Sequence, residues 1–258
     1  MTIKTYLKLS LFLTILFSCG GKSDSNDESS SSDNVTESCL AELVEGNEIE
    51  KMITKKQLAE IAGVSVQEFE INDNKSSSAK YSLFGFKWAP KVSRKMILKT
   101  EIPSGPNGKK SAIENEMDAK NNVSFGQIDV LDAKKRAPKE YFRYTYGPKT
   151  KEEKEAIKRS VDRSKESSDK VDEKSAETIK RMVDKQSSRE VKVGDLAYWS
   201  STSYGNFYTE SGEKVTEAKI QVLHGNTMFS VSANVSDNIE EDLAMAKKVA
   251  QQIIDNCK

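Results

Sequence analysis

The chain has 258 residues, of which 36% are hydrophobic and 31% charged, enough apolar material for one sizeable core. Lysine plus arginine equals aspartate plus glutamate at 40 each, so there is no net basic charge to track a nucleic-acid backbone. A single histidine excludes multi-histidine metal sites and two-histidine motifs.

The first elements read as an address. Lys4 and Lys8 precede a mostly apolar run from Leu9 to Phe17, which is short of the roughly 20 residues a membrane span needs. Leu16-Phe17-Ser18-Cys19 then resembles a lipobox, in which a small residue precedes the cysteine that is acylated and becomes the new N-terminus. Residues 1–18 are thus expected to be a lipoprotein signal peptide, with Cys19 bearing lipid such as palmitate. An ordinary secretory signal with an incidental Cys19 is the alternative. Removing Lys4 and Lys8 from a neutral chain leaves a remainder near −2.

Residues 19–38 are rich in Ser and Asp and nearly devoid of apolar side chains. They cannot bury enough surface to offset ordering entropy and read as a disordered tether. Lys22 followed by Asp24, Asp27 and Glu28 is similar to the acidic export signal of Bacteroidota surface lipoproteins; a generic solvated spacer reads the same way. Cys39 and Cys257 then bracket the remaining domain, 39–258. Outside the cytoplasm an even pair predicts a disulfide, with two unrelated thiols as the alternative.

Within that domain, Ser38 to Gly46 predicts a short helix. Thr54 to Gly63 predicts a second, with Thr54 as cap, Gln57 reaching back and Gly63 ending it. Tyr81 to Trp88 and Ser93 to Ile102 read as strands, Pro103 to Lys109 as a loop, Ser111 to Asn121 as a helix and Val123 to Leu131 as a strand. The segment 149–186 is dominated by Lys, Glu, Asp and Ser. It reads as one or two exposed charged helices, with Glu155 and Arg159 at i,i+4 spacing and a break near Glu166 to Lys170. Its sparse apolar residues do not sustain a heptad seam, so a solvated helical insertion is favoured over a coiled coil.

From Val191 the pattern turns to strands: Asp195 to Ser201, Asn206 to Thr209, then Lys214 to His224 and Thr227 to Asn234. The last two form a hairpin, with Gly225-Asn226 suited to a type II′ turn. Ser236 or Asp237 is expected to cap a final helix to about Asp255. Its buried stripe is Ile239, Leu243, Ala246, Ala250 and Ile253. The sum is α+β: a mainly antiparallel sheet with helices packed on one side, plus the exposed charged helical segment.

With these pieces placed, the domain resembles an uncharacterised family of Bacteroidota lipoproteins. The resemblance rests on the early cysteine, Ile53 to Gly63, the strand ending Phe86-Lys87-Trp88, Tyr144, and the helix opening at Thr150 to Glu155. It continues through Val193 to Trp199, Gly225 to Phe229 and the final Cys257, so that it covers most of residues 39–257. The Gly-Asp-x-Ala-x-Trp turn is distantly similar to actinobacterial sensor-type extracytoplasmic lipoproteins, although this chain lacks the extra cysteine pair of some members. The resemblance implies a fold and carries no catalytic residue.

Chemistry-bearing patterns are few. His224 flanks the hairpin turn and reads as a turn-adjacent surface residue. No Gly-x-Ser-x-Gly, Cys-x-x-Cys, Walker A or dinucleotide pattern occurs. Most carboxylates sit in lysine-matched runs; Asp195 and Glu210 are the candidates for a two-carboxylate hydrolase, with a turn-forming role as the plainer reading of Asp195. Tyr141, Tyr144 and Tyr146 cannot share one strand face. Trp88, Tyr144, Trp199 and Tyr204 are the candidate ligand-binding aromatics, against cross-strand packing as the default. No cofactor and no metal site are expected. The expected partners are a membrane, reached through the N-terminal lipid, and a protein or glycan, with no nucleic acid. The chain is expected at the outer membrane, lipid-anchored and facing the periplasm or the cell surface. Its expected role is that of a non-enzymatic binding or structural module. The rivals are a carboxylate-dependent hydrolase and an accessory subunit docking through 149–186.

Overall fold

A computed structural model describes residues 39–104, 109–167, 172–185 and 187–257. The expected signal peptide, the expected lipid-bearing Cys19 and the expected tether lie outside the described residues.

The chain is α+β, with a mainly antiparallel sheet. In chain order the elements are α1 (Cys39–Gly46), α2 (Lys55–Ala62), β1 (Glu70–Asn74), β2 (Leu83–Trp88), β3 (Lys95–Ser104), β4 (Lys109–Asp118), β5 (Asn121–Val130) and α3 (Pro138–Tyr146). There follow α4 (Lys151–Ser167), α5 (Glu173–Lys185), β6 (Arg189–Val191), β7 (Leu196–Tyr208), β8 (Lys214–His224), β9 (Thr227–Asn234) and α6 (Ile239–Asp255). The sheet order is β1-β2-β5-β9-β8-β7-β3-β4, with β6 pairing on β7. Helix α2 has the expected capping box between Thr54 and Gln57, and Gly63 closes it at φ 65°. Gly225 sits at φ 60° between β8 and β9, as the turn requires.

Chain segments 149–186 and 35–148 with 187–258 form two compact units. In the larger one, α1, α2 and α6 cover one face of the sheet. Their core joins Leu40, Leu58, Ala246, Val249 and Ile253 to Phe86, Val123, Phe125, Ile220, Phe229 and Val231. Cys39 and Cys257 are disulfide-bonded with Cα atoms 5.4 Å apart, tying the start of α1 to the end of α6.

The smaller unit is a helical hairpin. Thr150 and Glu153 cap α4 reciprocally, and Asp172 accepts the Ser175 N–H at the start of α5. The helices end and begin around the expected break, and residues 168–171 lie outside the described set. These helices are not solvated all round, as the sequence reading had it. Val161, Ala176, Ile179 and Val183 form a buried seam between them. Glu155 pairs with Lys158 at 3.0 Å, where the sequence pattern points to Arg159.

Four further expectations are corrected. Residues 111–121 are not a helix: β4 runs antiparallel to β3 over ten pairs, from Lys95↔Asp118 to Ser104↔Lys109. Its period is two, with Ile113 and Met117 on one face and Glu114, Glu116 and Asp118 on the other, where Lys95 and Lys99 pair with them. The two short strands after Asp195 are one strand, β7, whose register shifts between Ser203 and Tyr208. The cap of α6 is Asn238, whose side chain accepts the Glu240 N–H. Residues 138–146 are helical, with Pro138 at the first turn, and α3 lies against the sheet face opposite α6, so helices do not occupy one side alone.

Candidate functional site

The exposed half of an amphipathic strand normally meets water. Here it does not: all eight residues of β9 are buried, the alternating Ser230, Ser232 and Asn234 included. The reason lies along β8, where Val215, Glu217, Lys219, Gln221 and Leu223 share the face turned away from α6. Val215 belongs to an apolar cluster with Met96, Ala119 and Phe207. Leu223 belongs to another with Phe142, Leu196, Tyr198 and Met228. Between these clusters lies a recessed polar strip.

Strand register fixes its layout. One lateral row runs Gly85, Ser124, Ser232, Lys219, Ser200 across β2, β5, β9, β8 and β7. The neighbouring row contains Lys87, Asn122 and Asn234, with Glu217 opposite Thr202. Small hydroxyls form the floor, and one lysine stands in the middle.

A β-bulge brings in the last member. The β5–β9 register slips between Gly126 and Asp129. Phe125 and Ile128 both reach the main core, and Gln127, at φ 53°, turns to the opposite face. There its Oε1 accepts from Lys219 Nζ and from Ser230 Oγ, each at 2.9 Å. A non-glycine residue in the left-handed region stores about 1–3 kcal/mol of strain, and such outliers concentrate at functional sites. Gly126 at φ 139° is obligatory, since a Cβ there would stand 2.5 Å from the Ser82 carbonyl oxygen.

The electrostatics follow from recession. Burial pushes the Lys219 ammonium below its ordinary range, and the Glu217 charge opposes that shift. Burial raises the Glu217 carboxyl, opposed by the hydrogen bond from Thr202, 3.2 Å away, and by Lys219. Among the described residues no carboxylate lies within ion-pair distance of Lys219. Asn122 is 8% exposed, and its Oδ1 is buried without a hydrogen-bond partner. At the end of the strip Arg94 donates to Asn234, Asn121 and Asp237, and Asn234 donates to the Thr216 carbonyl.

The residues favoured from sequence are placed elsewhere. Trp88 is 3% exposed and edge-on to Phe69 in the main core. Trp199 packs at the margin of that core beneath Arg189, four strands from Trp88. Tyr144 is 41% exposed on α3, with Arg136 over its ring, and the side chain of Tyr204 lies outside the described set. Trp88, Trp199 and Tyr144 therefore make no common platform. Asp195 serves the hairpin turn: its Oδ2 accepts the Gly225 N–H at 2.6 Å. His224 flanks that turn, its Nδ1 buried without a hydrogen bond and 3.9 Å from the same carboxylate oxygen. Asp195 and Glu190 also border an open depression of about 350 Å³ with Gln251, both carboxylates facing solvent. Glu210 is exposed in the turn after β7.

Among the described residues no group of three or more His, Cys, Asp and Glu could hold a metal. No described helix is long and apolar enough to cross a membrane. The strip escaped the sequence reading because Glu217, Lys219, Gln221, Ser230 and Ser232 alternate as a solvated face does. The only sequence signal was Phe-Gly-Gln-Ile at residues 125–128, a glycine interrupting strand alternation. In comparisons with known proteins, no family model, no curated protein and no solved structure matches the chain.

Proposed function

We propose that this chain is a lipid-anchored envelope lipoprotein whose rigid α+β domain is a non-enzymatic binding module, with the recessed strip as its ligand-facing surface. One observation carries the reading: Lys219, Gln127 and Ser230 are joined by hydrogen bonds on a sheet face withdrawn from water, where Asn122, further along β5, leaves a buried acceptor unsatisfied. Buried polar groups without partners are uncommon in a packed domain unless something else completes them. Support for export comes from the lipobox-like Ser18-Cys19 and from the Cys39–Cys257 bond, a linkage typical of oxidising compartments. The Cys39 bond also means that a tether from Cys19 would pull on a clamped point.

A hydrolase built on Glu190 and Asp195 has less support, because both carboxylates are exposed and Asp195 is engaged in the turn. Membrane fractionation of wild type and Cys19→Ser tests the anchor. The wild type is expected in the membrane fraction as an acylated chain starting at Cys19, and the variant in the soluble fraction. A mature wild-type chain that is unacylated and retains Met1 overturns the reading.

A further inference from the structure

The sheet has two edges, and they are built differently. At one edge β1 has five residues and carries only acidic charge. Short, charged edges of this kind discourage the addition of another strand. At the other edge β4 runs ten residues in unbroken register with β3, without a proline or a bulge. Among the described residues its outer row of backbone N–H and C=O groups has no strand partner.

The ribbon that β4 makes with β3 also lacks support. Among the described residues β3 pairs with β7 only at Ile97 and Leu98, so 99–104 and 109–114 continue as two strands alone. A two-stranded ribbon is marginal in water, and three or more strands are needed for independent stability. One face of this ribbon stays apolar beyond the cluster around Met96: Met117 is 38%, Ile102 40% and Ile113 45% exposed.

Charge selects what completes the edge. In sequence β4 is basic at Lys109-Lys110 and acidic at Glu114, Glu116 and Asp118. Antiparallel pairing with a second β4 sets the basic end of each strand against the acidic end of the other. Backbone groups point outward at alternate residues, so two such edges pair only in registers that match parity. Ile113 opposite Ile113 of a second copy is one of these. It aligns 109–117 of both copies and makes their apolar faces continuous. It also sets Glu116 and Glu114 opposite positions 110 and 112, a lysine and an alanine in the sequence. The next allowed register toward the acidic end puts Glu114 on Glu114, and the one after puts Glu114 on Glu116, both repulsive. Pairing β4 with β1 instead is limited to the five residues of β1.

We propose that β4 is a dimerisation edge, on which a second copy of this chain pairs through its own β4 about a two-fold axis at Ile113. The product is a continuous β3-β4-β4-β3 sheet in place of two bare ribbons. Because each copy contributes the same edge, association closes at a dimer. The proposal needs no ligand in the strip and stands apart from the binding-module reading.

The test is oxidative cross-linking of the full chain in detergent micelles, together with sedimentation equilibrium of the wild type. The wild type is expected to sediment as a dimer. Ile113→Cys is expected to give a disulfide-linked dimer that the wild type and Ile71→Cys, on the opposite edge, do not. Glu116→Lys is expected to weaken the dimer at least about tenfold, and adding Lys110→Glu to restore it. Should Glu116→Lys fail to fold, the wild-type mass and the Ile113→Cys cross-link decide. A wild type that stays monomeric throughout the micromolar range overturns the proposal. So does a dimer that Glu116→Lys leaves intact or that gives no cross-link at Ile113→Cys, since such a dimer uses another surface.

Discussion

Lys219 on β8 reaches past β9 to Gln127 on β5, and the two side chains meet at 2.9 Å. Neither residue would face the other in a regular sheet, because Gln127 has the parity of the core residues Val123 and Phe125. The bulge at Gly126 reverses that parity for one residue. The main core keeps Phe125 and Ile128, and the polar strip gains a side chain that holds both Lys219 and Ser230. A local backbone irregularity thus sets the chemistry of the opposite face.

The bulge can be tested by its glycine. Gly126→Ala is expected to cost about 2–4 kcal/mol, since the new Cβ lies 2.5 Å from the Ser82 carbonyl at a φ disfavoured for alanine. Gly212→Ala is the control. Its φ is 83°, yet a Cβ there meets nothing within 4 Å, so the expected cost is about 1 kcal/mol. Urea denaturation of the two variants measures the difference, and equal costs would show that the bulge is not sterically locked.

The disulfide closes a loop across 218 sequence positions. Chain entropy assigns such a cross-link about 5 kcal/mol, less if the reduced chain retains structure. Reduction, or the double variant Cys39→Ser with Cys257→Ser, is expected to lower the urea midpoint without changing the sheet's circular dichroism in water. Loss of less than about 1 kcal/mol would mean that α1 and the end of α6 are held without it.

Asp242 is 1% exposed at the start of α6, where it accepts the N–H groups of Val235 and Ser236 and faces Arg94 and Asp237. Burial pushes its carboxyl from 3.8 up to about 6, against the lowering effect of both N–H bonds and Arg94. A raised acid binds its proton more tightly when folded. Its stabilising contribution is therefore complete below about 3.8 and is lost as the pH rises through about 6. Wild type is expected to gain stability relative to Asp242→Asn between pH 7 and pH 4. Parallel pH profiles of the two melts would refute the shift.

The α4–α5 hairpin has its own seam, and Ile179 is 5% exposed within it. Ile179→Ala is expected to destabilise the hairpin by about 2 kcal/mol, the low end for such a truncation in a small cluster. Hydrogen exchange is then expected to accelerate in 151–185 and to stay unchanged in β5, β8 and β9. Equal acceleration in the sheet would show that the two units unfold together.

Much of the fold was written locally. The Thr54–Gln57 box, the Gly63 stop, the Gly225-Asn226 turn and the stripe of α6 are each encoded within a few neighbouring residues, where capping, turn chemistry and periodicity act. Residues 111–121 were misread because isolated Glu, Met and Ala favour helix, while pairing with Lys95 and Lys99 favours strand, and that pairing is invisible without β3. The burial of Trp88 was hidden for a related reason: an aromatic in a strand looks the same whether its face meets solvent or Phe69.

The amino-acid order alone determined the α+β class, the pair of cysteines, the charged helical segment and the place of the turns, because those depend on composition and on contacts a few residues apart. Only the tertiary structure decided which side of β8 and β9 is withdrawn from water. Two apolar clusters, drawn from β3, the segment after β4, β7 and α3 far along the chain, close around that face, and a polar alternation that would read as solvated becomes a recessed row of hydroxyls around one lysine.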